Sequence, residues 1–484
     1  MRKAFLTLSV LGVGMACNAS DLNIPNPNVA TIEGASADPT AFQLLATGLF
    51  VDQRSTRTGM MTYGGILGRE SYNFTPQEGR NTSNCTLGVV VGGVQKLDPA
   101  GFCVAPWAGQ YGTLRDIFNF KTSIASNGLL TTAQKAAALG LAQTFEAMML
   151  FEIIQTHDTL GAVVEVKANA SDIAPFVSRD STYKFILGTL DAAATNLSAG
   201  GAAFPFTVPA GFAGFNTPAT FLLFNRAMKG KAAAHYATSG GGASQWPVAL
   251  TALGASFLNG AATTRAQFDV GVYDTYSPSP DTPNPLSSAT NTNLYAHASF
   301  TTDAQLKADG TPDNRYLAKI RTGLPSRTGP LSGVNPTSGS STIGFSSWPT
   351  TSTSIPVIRN EELILLRAEA RLATGDKAGA IADLNNVRVN SGGLPPTTLT
   401  AASTDDAVLL GILYEKRYST MLEGNRWVDH RRYGKLALLP LDVPDGPTKN
   451  FVAKVSPIPQ GECLVRALST GALLGPNGQN NCAP

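Results

Sequence analysis

The segment from Asp405 to Tyr433 constrains the fold more than any other stretch of this 484-residue chain. Apolar residues recur at helical spacing through its first half, for example at Leu409 and Leu413. The acids at its start suit the positive end of a helix dipole, and Gly424 is well placed to end the helix in a left-handed conformation. The segment therefore predicts an amphipathic helix followed by a glycine turn.

The second half of this segment is dense in charge, although only 14% of the chain is charged. Side chains of both signs surround Trp427, so they can satisfy each other when they are partly buried. We interpret them as a structural clamp between the helix and the turn after it, in preference to a site for an anionic ligand. The clamp residues are Glu415, Lys416, Arg417, Glu423, Arg426, Asp429, Arg431 and Arg432. We expect Arg426→Ala to lower stability, because it would leave a carboxylate unpaired.

The composition favours a large folded protein with an uncharged ligand. Hydrophobic residues make up 43% of the chain, which is enough for a large core. The formal charge is only +2 and no long basic run occurs, so we do not expect nucleic acid as a partner. The 48 glycines and 30 prolines indicate long surface loops. This composition suits a protein outside the cytoplasm that binds neutral molecules.

The first residues resemble the export signal of a lipoprotein. A short apolar run ends in Gly14-Met15-Ala16-Cys17, which resembles a lipoprotein cleavage box except that leucine is usual at the position of Gly14. The run is too short for a permanent membrane helix. We predict a signal peptide at residues 1–16 and a tether at residues 17–30 that is lipidated on Cys17, with the lipid as the only membrane contact. The alternative is a plain secretory peptide with an incidental cysteine.

The other four cysteines fall into two local pairs within loop-like sequence. In an exported protein this arrangement predicts the disulfides Cys85–Cys103 and Cys463–Cys482. Metal binding is the alternative, but the sequence has no CxxC motif and no Cys/His cluster to support it. We therefore expect neither a metal nor a cofactor.

Apolar spacing predicts that much of the remaining chain is helical. Residues 60–74 are predicted as a loop, residues 81–104 as an irregular excursion, and residues 266–273 as a strand. The predicted helices cover residues 32–50, 107–126, 131–155, 181–197, 217–237 and 248–258.

Two further helices are predicted over residues 361–373 and 378–389, joined by a turn at Gly375-Asp376. Small residues stand where the two helices would cross, and the pair resembles a tetratricopeptide unit. One such pair cannot bury its own apolar face, so other helix pairs must stack on it. We expect a mainly α fold in which tetratricopeptide-like helix pairs form a right-handed solenoid-like scaffold, with long loop-rich excursions and minor β structure.

The carboxyl half of the sequence resembles the SusD/RagB family. The matching runs are PVIRNEELILLRAEARLATGD, LLGILYEKRYSTMLEGNRWVDHRRYG and VSPIPQGE. The family usually has an acid and a leucine near Ser419-Thr420 and an apolar residue at His430, so the usual pairings of this helix are weakened here. The residues that match the family within the opening segment are Glu415, Arg417, Glu423, Gly424, Arg426, Trp427, Asp429 and Arg432.

This resemblance implies a nutrient-binding lipoprotein of the outer membrane. Such proteins cap TonB-dependent transporters and capture glycans or other nutrients. We therefore expect a lipid-anchored protein at the cell surface that binds an oligosaccharide or a peptide and delivers it to a SusC-like transporter. A single SusD-like domain is expected, with a helical part at residues 31–240, a loop-rich variable part at 241–355 and a carboxyl-terminal part at 356–484.

Enzymatic motifs are missing from the sequence. It contains no G-x-S-x-G, no H-E-x-x-H and no phosphate-binding loop, and its four histidines lack metal-ligand spacing. We therefore expect no catalysis. Two alternatives remain open: an α-helical glycoside hydrolase, which needs only two carboxylates, and a tetratricopeptide-type envelope scaffold, which would show a charged concave surface.

Aromatic side chains in the loop-rich parts are candidates for stacking on sugar rings, with polar neighbours to fix the hydroxyls. For Trp107 a place in the core is an equal alternative, and for Tyr72 and Tyr295 the alternative is surface packing. The candidate ligand-binding residues are Tyr63, Arg69, Tyr72, Phe74, Trp107, Gln110, Tyr273, Tyr276, Tyr295 and Trp348.

Overall fold

The computed structural model describes residues 32–104, 106–169, 171–279, 281–328, 339–443 and 449–470. The predicted signal peptide, the tether, Cys17 and Cys482 lie outside these ranges. The described chain is mainly helical with minor β structure, as predicted.

The amino-terminal part is built from eight helices and three short strands within the described ranges. Their bounds are α1 (Ile32–Ala37), α2 (Pro39–Leu67), β1 (Ser71–Asn73), α3 (Arg80–Thr86), β2 (Val89–Val91), β3 (Val94–Lys96), α4 (Ala108–Ser126), α5 (Thr132–His157), α6 (Arg179–Ser198), α7 (Pro218–Tyr236) and α8 (Gln245–Gly254). Helices α4 to α8 pack in succession, and α2 packs on α4.

The first predicted helix is broken, and it continues much further than predicted. Asp38 is extended and accepts a hydrogen bond from Thr40 N at 2.8 Å, so it caps α2, and Pro39 suits the first helical position. The loop predicted over residues 60–74 is wrong for its first half. Gly64 and Gly65 lie within α2. Gly65 has to be a glycine, because a Cβ there would stand 2.4 Å from the Leu422 side chain. These glycines allow α2 to pack closely against the segment from Leu422 to Gly424.

Helix α5 forms the centre of the core, as its apolar sequence predicted. Thr131 caps it in a reciprocal box with Gln134. By length and composition the span Thr132–Leu160 could cross a membrane, but 83% of its most apolar window is buried inside the fold. Its buried Phe145 meets Phe50 of α2 edge-on at 5.3 Å. This helix is therefore a core helix of the bundle.

The remaining part alternates short elements with long helices. Its elements are α9 (Arg265–Phe268), β4 (Gly271–Asp274), β5 (Leu294–Ala296), α10 (Ser299–Thr302), α11 (Asn314–Lys319), β6 (Ile320–Arg321), β7 (Arg327–Thr328), β8 (Ser340–Ser341), β9 (Gly344–Phe345), β10 (Ile355–Arg359), α12 (Asn360–Ala373), α13 (Lys377–Asn390), α14 (Asp405–Ser419), α15 (Asn425–Arg432) and α16 (Gln460–Thr470). The strand predicted over residues 266–273 is wrong in its first half, because Thr264 and Gln267 form a capping box that starts α9.

The strands form small antiparallel sheets between the helices. One sheet has the order β1-β5-β9-β6, and the pairs β10-β4, β2-β3 and β7-β8 complete the described β structure. In the first sheet Tyr72 lies opposite Tyr295. The hairpin β2-β3 lies within the excursion predicted over residues 81–104, and the predicted disulfide Cys85–Cys103 closes it with a Cα–Cα distance of 5.2 Å. Cys463 is disulfide-bonded as well.

Helices α12 and α13 form the predicted tetratricopeptide-like pair. Both pack on α14, and α12 also packs on α7 and α8. The apolar face of the pair is therefore buried between the two parts of the molecule, with Leu363, Leu366 and Leu384 almost fully inaccessible.

Most of the charged clamp is buried and paired, as predicted. Lys416 Nζ lies 2.8 Å from Glu369 and 2.7 Å from Asp429. Arg432 pairs with both of these carboxylates, so two cations and two anions from α12, α14 and α15 satisfy each other. Removing one partner of such a group costs about 3–5 kcal/mol, because the others stay buried.

Two details of the clamp segment differ from prediction. Helix α14 ends at Ser419, and Gly424, with φ of 80°, directly precedes α15 instead of ending α14. Arg426 forms no ion pair within the described ranges; it donates to the carbonyl oxygens of Gly68 at 3.1 Å and Arg69 at 2.9 Å. Its substitution would therefore free two carbonyl groups, not a carboxylate as predicted.

Candidate ligand-binding clefts

A cleft opens between α2, the loop before α4 and the first turn of α4. We call it the α4 cleft; its cavity volume is about 520 Å³. Ser55, Thr58 and Tyr63 of α2 form one wall, and Trp107 and Gln110 form the opposite side. None of the described residues that line it is charged. Such a lining favours neutral, hydroxyl-rich ligands over ions.

Trp107 holds the start of α4 in place and presents one edge to this cleft. Its ring lies 4.7 Å from Tyr111, 4.8 Å from His157 and 5.9 Å from Phe176, measured between ring centroids. Only 6% of Trp107 is exposed. Most of its ring therefore lies in the core, which was the alternative to a role in ligand binding. Burial lowers the pKa of His157 to about 4, so the aromatic cluster is uncharged at neutral pH.

Three polar groups of the α4 cleft have no hydrogen-bond partner in the described part of the chain. They are the Tyr63 hydroxyl, the Trp107 indole N–H and the Gln110 side-chain oxygen. The Gln110 nitrogen, in contrast, donates to Glu152 Oε2 at 2.9 Å. Burial raises the pKa of Tyr63, so its hydroxyl keeps its proton and can donate. The cleft thus combines aromatic surface with donors and an acceptor.

A second cleft, of about 570 Å³, contains Tyr273 and Trp348 from the predicted set, and we call it the Tyr273 cleft. Its wall contains several charged side chains, and most of these form ion pairs. Arg265 Nε lies 2.7 Å from Asp269, and an Arg359 nitrogen lies 2.7 Å from Glu423. Trp348 is only 3% exposed. The Tyr273 cleft therefore has fewer free groups for a neutral ligand.

The polar groups of the Tyr273 cleft include one amine with an altered pKa. Burial lowers the pKa of Lys319 to about 8, and Arg359 adds to the effect. Its ammonium group donates to the carbonyl oxygens of Tyr418, at 3.0 Å, and Ser419 at the end of α14. Lys319 thus caps a helix terminus, which explains its position without a ligand.

The other predicted ligand residues are core residues. Tyr72 stacks on Phe74 at 4.9 Å, Phe74 meets Tyr295 at 5.5 Å, and all three are buried because β1 pairs with β5. Arg69 donates to three backbone carbonyl groups and is 1% exposed. Tyr276 is buried beneath Arg54. The expectation that these side chains are exposed on loops is wrong.

The structure brings together Tyr63, Trp107 and Gln110 and adds residues that sequence reasoning missed. Ser55 and Thr58 are short polar residues of α2 and gave no distinctive signal. Glu152 did give one, because it is the only acid among the apolar residues 147–154 of α5. A buried acid in such a run requires partners, and Gln110 is one of them.

Comparison with known proteins agrees with this architecture. Residues 266–462 match the model of the SusD family. No curated protein sequence matches the chain. The part of the chain from residue 266 to residue 462 is thus similar to the SusD family.

Solved structures share this fold over most of the chain. A SusD-like carbohydrate-binding protein from Bacteroides fragilis superposes with a TM-score of 0.64 at 16% identity, covering 89% of this chain and 99% of that one. A SusD superfamily protein from Bacteroides vulgatus gives 0.62 at 15% identity, with coverage of 88% and 97%. NanU from B. fragilis gives 0.56 at 14% identity, with coverage of 84% and 92%. At these identities the similarity concerns the fold alone.

Proposed function

We propose that this protein binds a neutral oligosaccharide in the α4 cleft and releases it unchanged. The observation that supports this most is the uncharged lining, in which Tyr63, Trp107 and Gln110 offer free hydrogen-bonding groups beside aromatic surface. Sugar rings combine apolar faces with hydroxyl groups at their edges, so they match a cleft of this kind. The carbohydrate-binding relative in the same fold is consistent with this choice of ligand.

The binding test uses isothermal titration calorimetry with neutral oligosaccharides, starting from maltose, cellobiose and mannobiose and their longer forms. We expect at least one to bind, and we expect no new reducing ends after prolonged incubation. Appearance of reducing ends would favour the glycoside hydrolase alternative. Failure of every neutral sugar to bind, with tight binding of an acidic sugar or a peptide, would contradict the proposal.

Tyr63→Phe tests the position of the ligand. The substitution keeps the ring and removes a free hydroxyl, so loss of one hydrogen bond of about 1–1.5 kcal/mol should weaken binding about tenfold. Tyr295→Phe is the matched control, because its hydroxyl donates to the Pro325 carbonyl away from the α4 cleft. If the two substitutions weaken ligand binding equally, the ligand does not bind in the α4 cleft.

We further propose that Cys17 carries a lipid that anchors the protein in the outer membrane at the cell surface, where it passes its ligand to a SusC-like TonB-dependent transporter. Support comes from the lipoprotein-like box and from the match of residues 266–462 to the SusD family. Cys17→Ser should move the protein from the membrane fraction to the soluble fraction. The wild-type protein should co-purify with a large β-barrel protein. Purification without any such barrel would contradict the proposed partnership with a transporter.

A further inference from the structure

Glu152 lies directly behind the α4 cleft without lining it. It belongs to α5 and is 7% exposed. One carboxylate oxygen accepts the hydrogen bond from Gln110 Nε2 at 2.9 Å, and the other lies 3.7 Å from a guanidinium nitrogen of Arg57. Thr56 Oγ1 stands 3.3 Å from the oxygen that faces Gln110. Glu152 therefore connects a cleft residue to the largely buried cation of Arg57.

Arg57 is held firmly on its far side. Its Nε donates to Asp274 Oδ2 at 2.7 Å. The Gln53 amide, in the orientation that satisfies both neighbours, accepts from Arg57 at 2.8 Å and donates to Asp274 at 3.1 Å. Burial alone would lower the pKa of Arg57, but Asp274 and Glu152 raise it above its ordinary value. Arg57 thus stays charged and keeps an oxygen atom of Glu152 turned toward it.

This arrangement determines which way the Gln110 amide points. An ionised carboxylate can only accept hydrogen bonds, so the amide nitrogen of Gln110 has to face Glu152. The amide oxygen then faces the other way, and no described residue donates to it. The chemistry of Glu152 as a hydrogen-bond acceptor therefore fixes the orientation of the Gln110 amide.

We propose that Glu152 is a positioning residue that sets the hydrogen-bond preference of the α4 cleft. It fixes the Gln110 oxygen toward the cleft, so a ligand hydroxyl has to donate a hydrogen bond at that point. This inference rests on the proposed sugar site, which it makes more specific: groups that accept but cannot donate are disfavoured next to Gln110.

Glu152→Gln should reverse this preference with little change in shape. The new amide oxygen is attracted to Arg57, so the new amide nitrogen faces Gln110. Gln110 then has to turn its own oxygen inward and present its nitrogen to the cleft. Glu146→Gln is the matched control: it lies on the same helix and pairs with Lys121 at 2.8 Å, away from the cleft lining.

The test compares a neutral disaccharide that binds the wild-type protein with its set of monodeoxyfluoro analogues, because fluorine accepts weakly and cannot donate. For the wild-type protein and Glu146→Gln, fluorine at the position next to Gln110 should weaken binding about tenfold, the equivalent of one hydrogen bond. For Glu152→Gln we expect that loss to fall below about threefold. A tenfold loss in all three proteins would overturn the role of Glu152.

A second measurement needs neither sugar nor variant. In wild-type protein labelled with ¹⁵N-glutamine, the side-chain amide resonance of Gln110 should shift as Glu152 loses its proton. Burial raises the pKa of Glu152, and Arg57, Gln110 and Thr56 oppose that shift while Asp274 adds to it. A resonance that stays constant as Glu152 titrates would contradict the inference. If no neutral sugar binds but the resonance does shift, the proposed function fails and the positioning role stands.

Discussion

Glu70, just beyond the end of α2, is a buried carboxyl group with an incomplete set of partners. One oxygen accepts the Leu422 N–H at 3.2 Å, whereas the other has no hydrogen-bond partner among the described residues. Burial raises its pKa from 4.5 to about 7, and the positive charges of Arg426 and Arg417 oppose the shift only in part. At neutral pH this residue therefore titrates within the folded protein.

The raised pKa of Glu70 makes stability depend on pH. Between about pH 4.5 and 7 the unfolded chain ionises Glu70 before the folded protein does, so stability falls as pH rises through this window. Glu70→Gln removes this loss and keeps an oxygen atom for the Leu422 N–H. Urea unfolding should show similar stabilities at pH 4.5 and a gain for the variant at pH 8, at most about 3 kcal/mol from 1.36 kcal/mol per pKa unit. A variant that is less stable at pH 8 would contradict this account.

Residue type alone identified part of the α4 cleft. Trp107 and Gln110 stand three positions apart at the start of a well-predicted helix, so their proximity followed from sequence. Tyr72 and Tyr295 were misplaced because their location depends on β1 pairing with β5, about 220 residues apart in the chain. The contact between Gln110 and Glu152 likewise depends on how α4 packs on α5, which no local pattern specifies.

At the scale of elements, the clamp joins three helices that are separate in sequence. Glu369 of α12 contacts Lys416 of α14 and Arg432 of α15. Burial alone would raise the pKa of Asp429, but Lys416 and Arg432 hold it far below its ordinary value. Asp429 therefore stays ionised down to low pH, and the ion pairs of the cluster join the tetratricopeptide-like pair to α15.

Glu369→Ala should weaken this joint strongly. It leaves Lys416 and Arg432 buried with Asp429 as their remaining carboxylate, so we expect a loss of about 3–5 kcal/mol in the free energy of unfolding. Glu165→Ala, which removes an exposed partner of Lys167, should cost at most about 1 kcal/mol. Both values follow from urea unfolding monitored by circular dichroism. Equal losses of unfolding free energy in the two variants would show that the buried cluster stabilises the fold no more than an exposed ion pair does.

The elements that sequence predicted best are those with continuous helical periodicity. Helices α4, α5, α6, α7, α12 and α13 lie within a few residues of their predicted bounds. Helix α2 was predicted too short, because Gly59, Gly64 and Gly65 suggest a loop when the surface packed against them is unknown. The short elements α9 and β4 were merged into one strand, since only Asp269 and Val270 separate the helical segment from the extended one.

At the scale of the whole molecule, the helices supply a rigid frame and the segments between them shape the clefts. The disulfide Cys85–Cys103 ties down the excursion that leads to Trp107, so this wall of the α4 cleft is fixed by a covalent link. The division into parts at residues 240 and 355 stays a prediction. Contacts of α12 with α7 and α8 join the amino-terminal helices to the carboxyl-terminal ones directly.

The central claim, that a neutral sugar occupies the α4 cleft, is tested most directly by the crystal structure of the protein bound to the oligosaccharide that calorimetry selects. We predict electron density for a sugar ring beside Trp107, with one hydroxyl donating to the Gln110 oxygen at about 2.7–2.8 Å. Sugar density in the Tyr273 cleft, with the α4 cleft empty, would contradict the account.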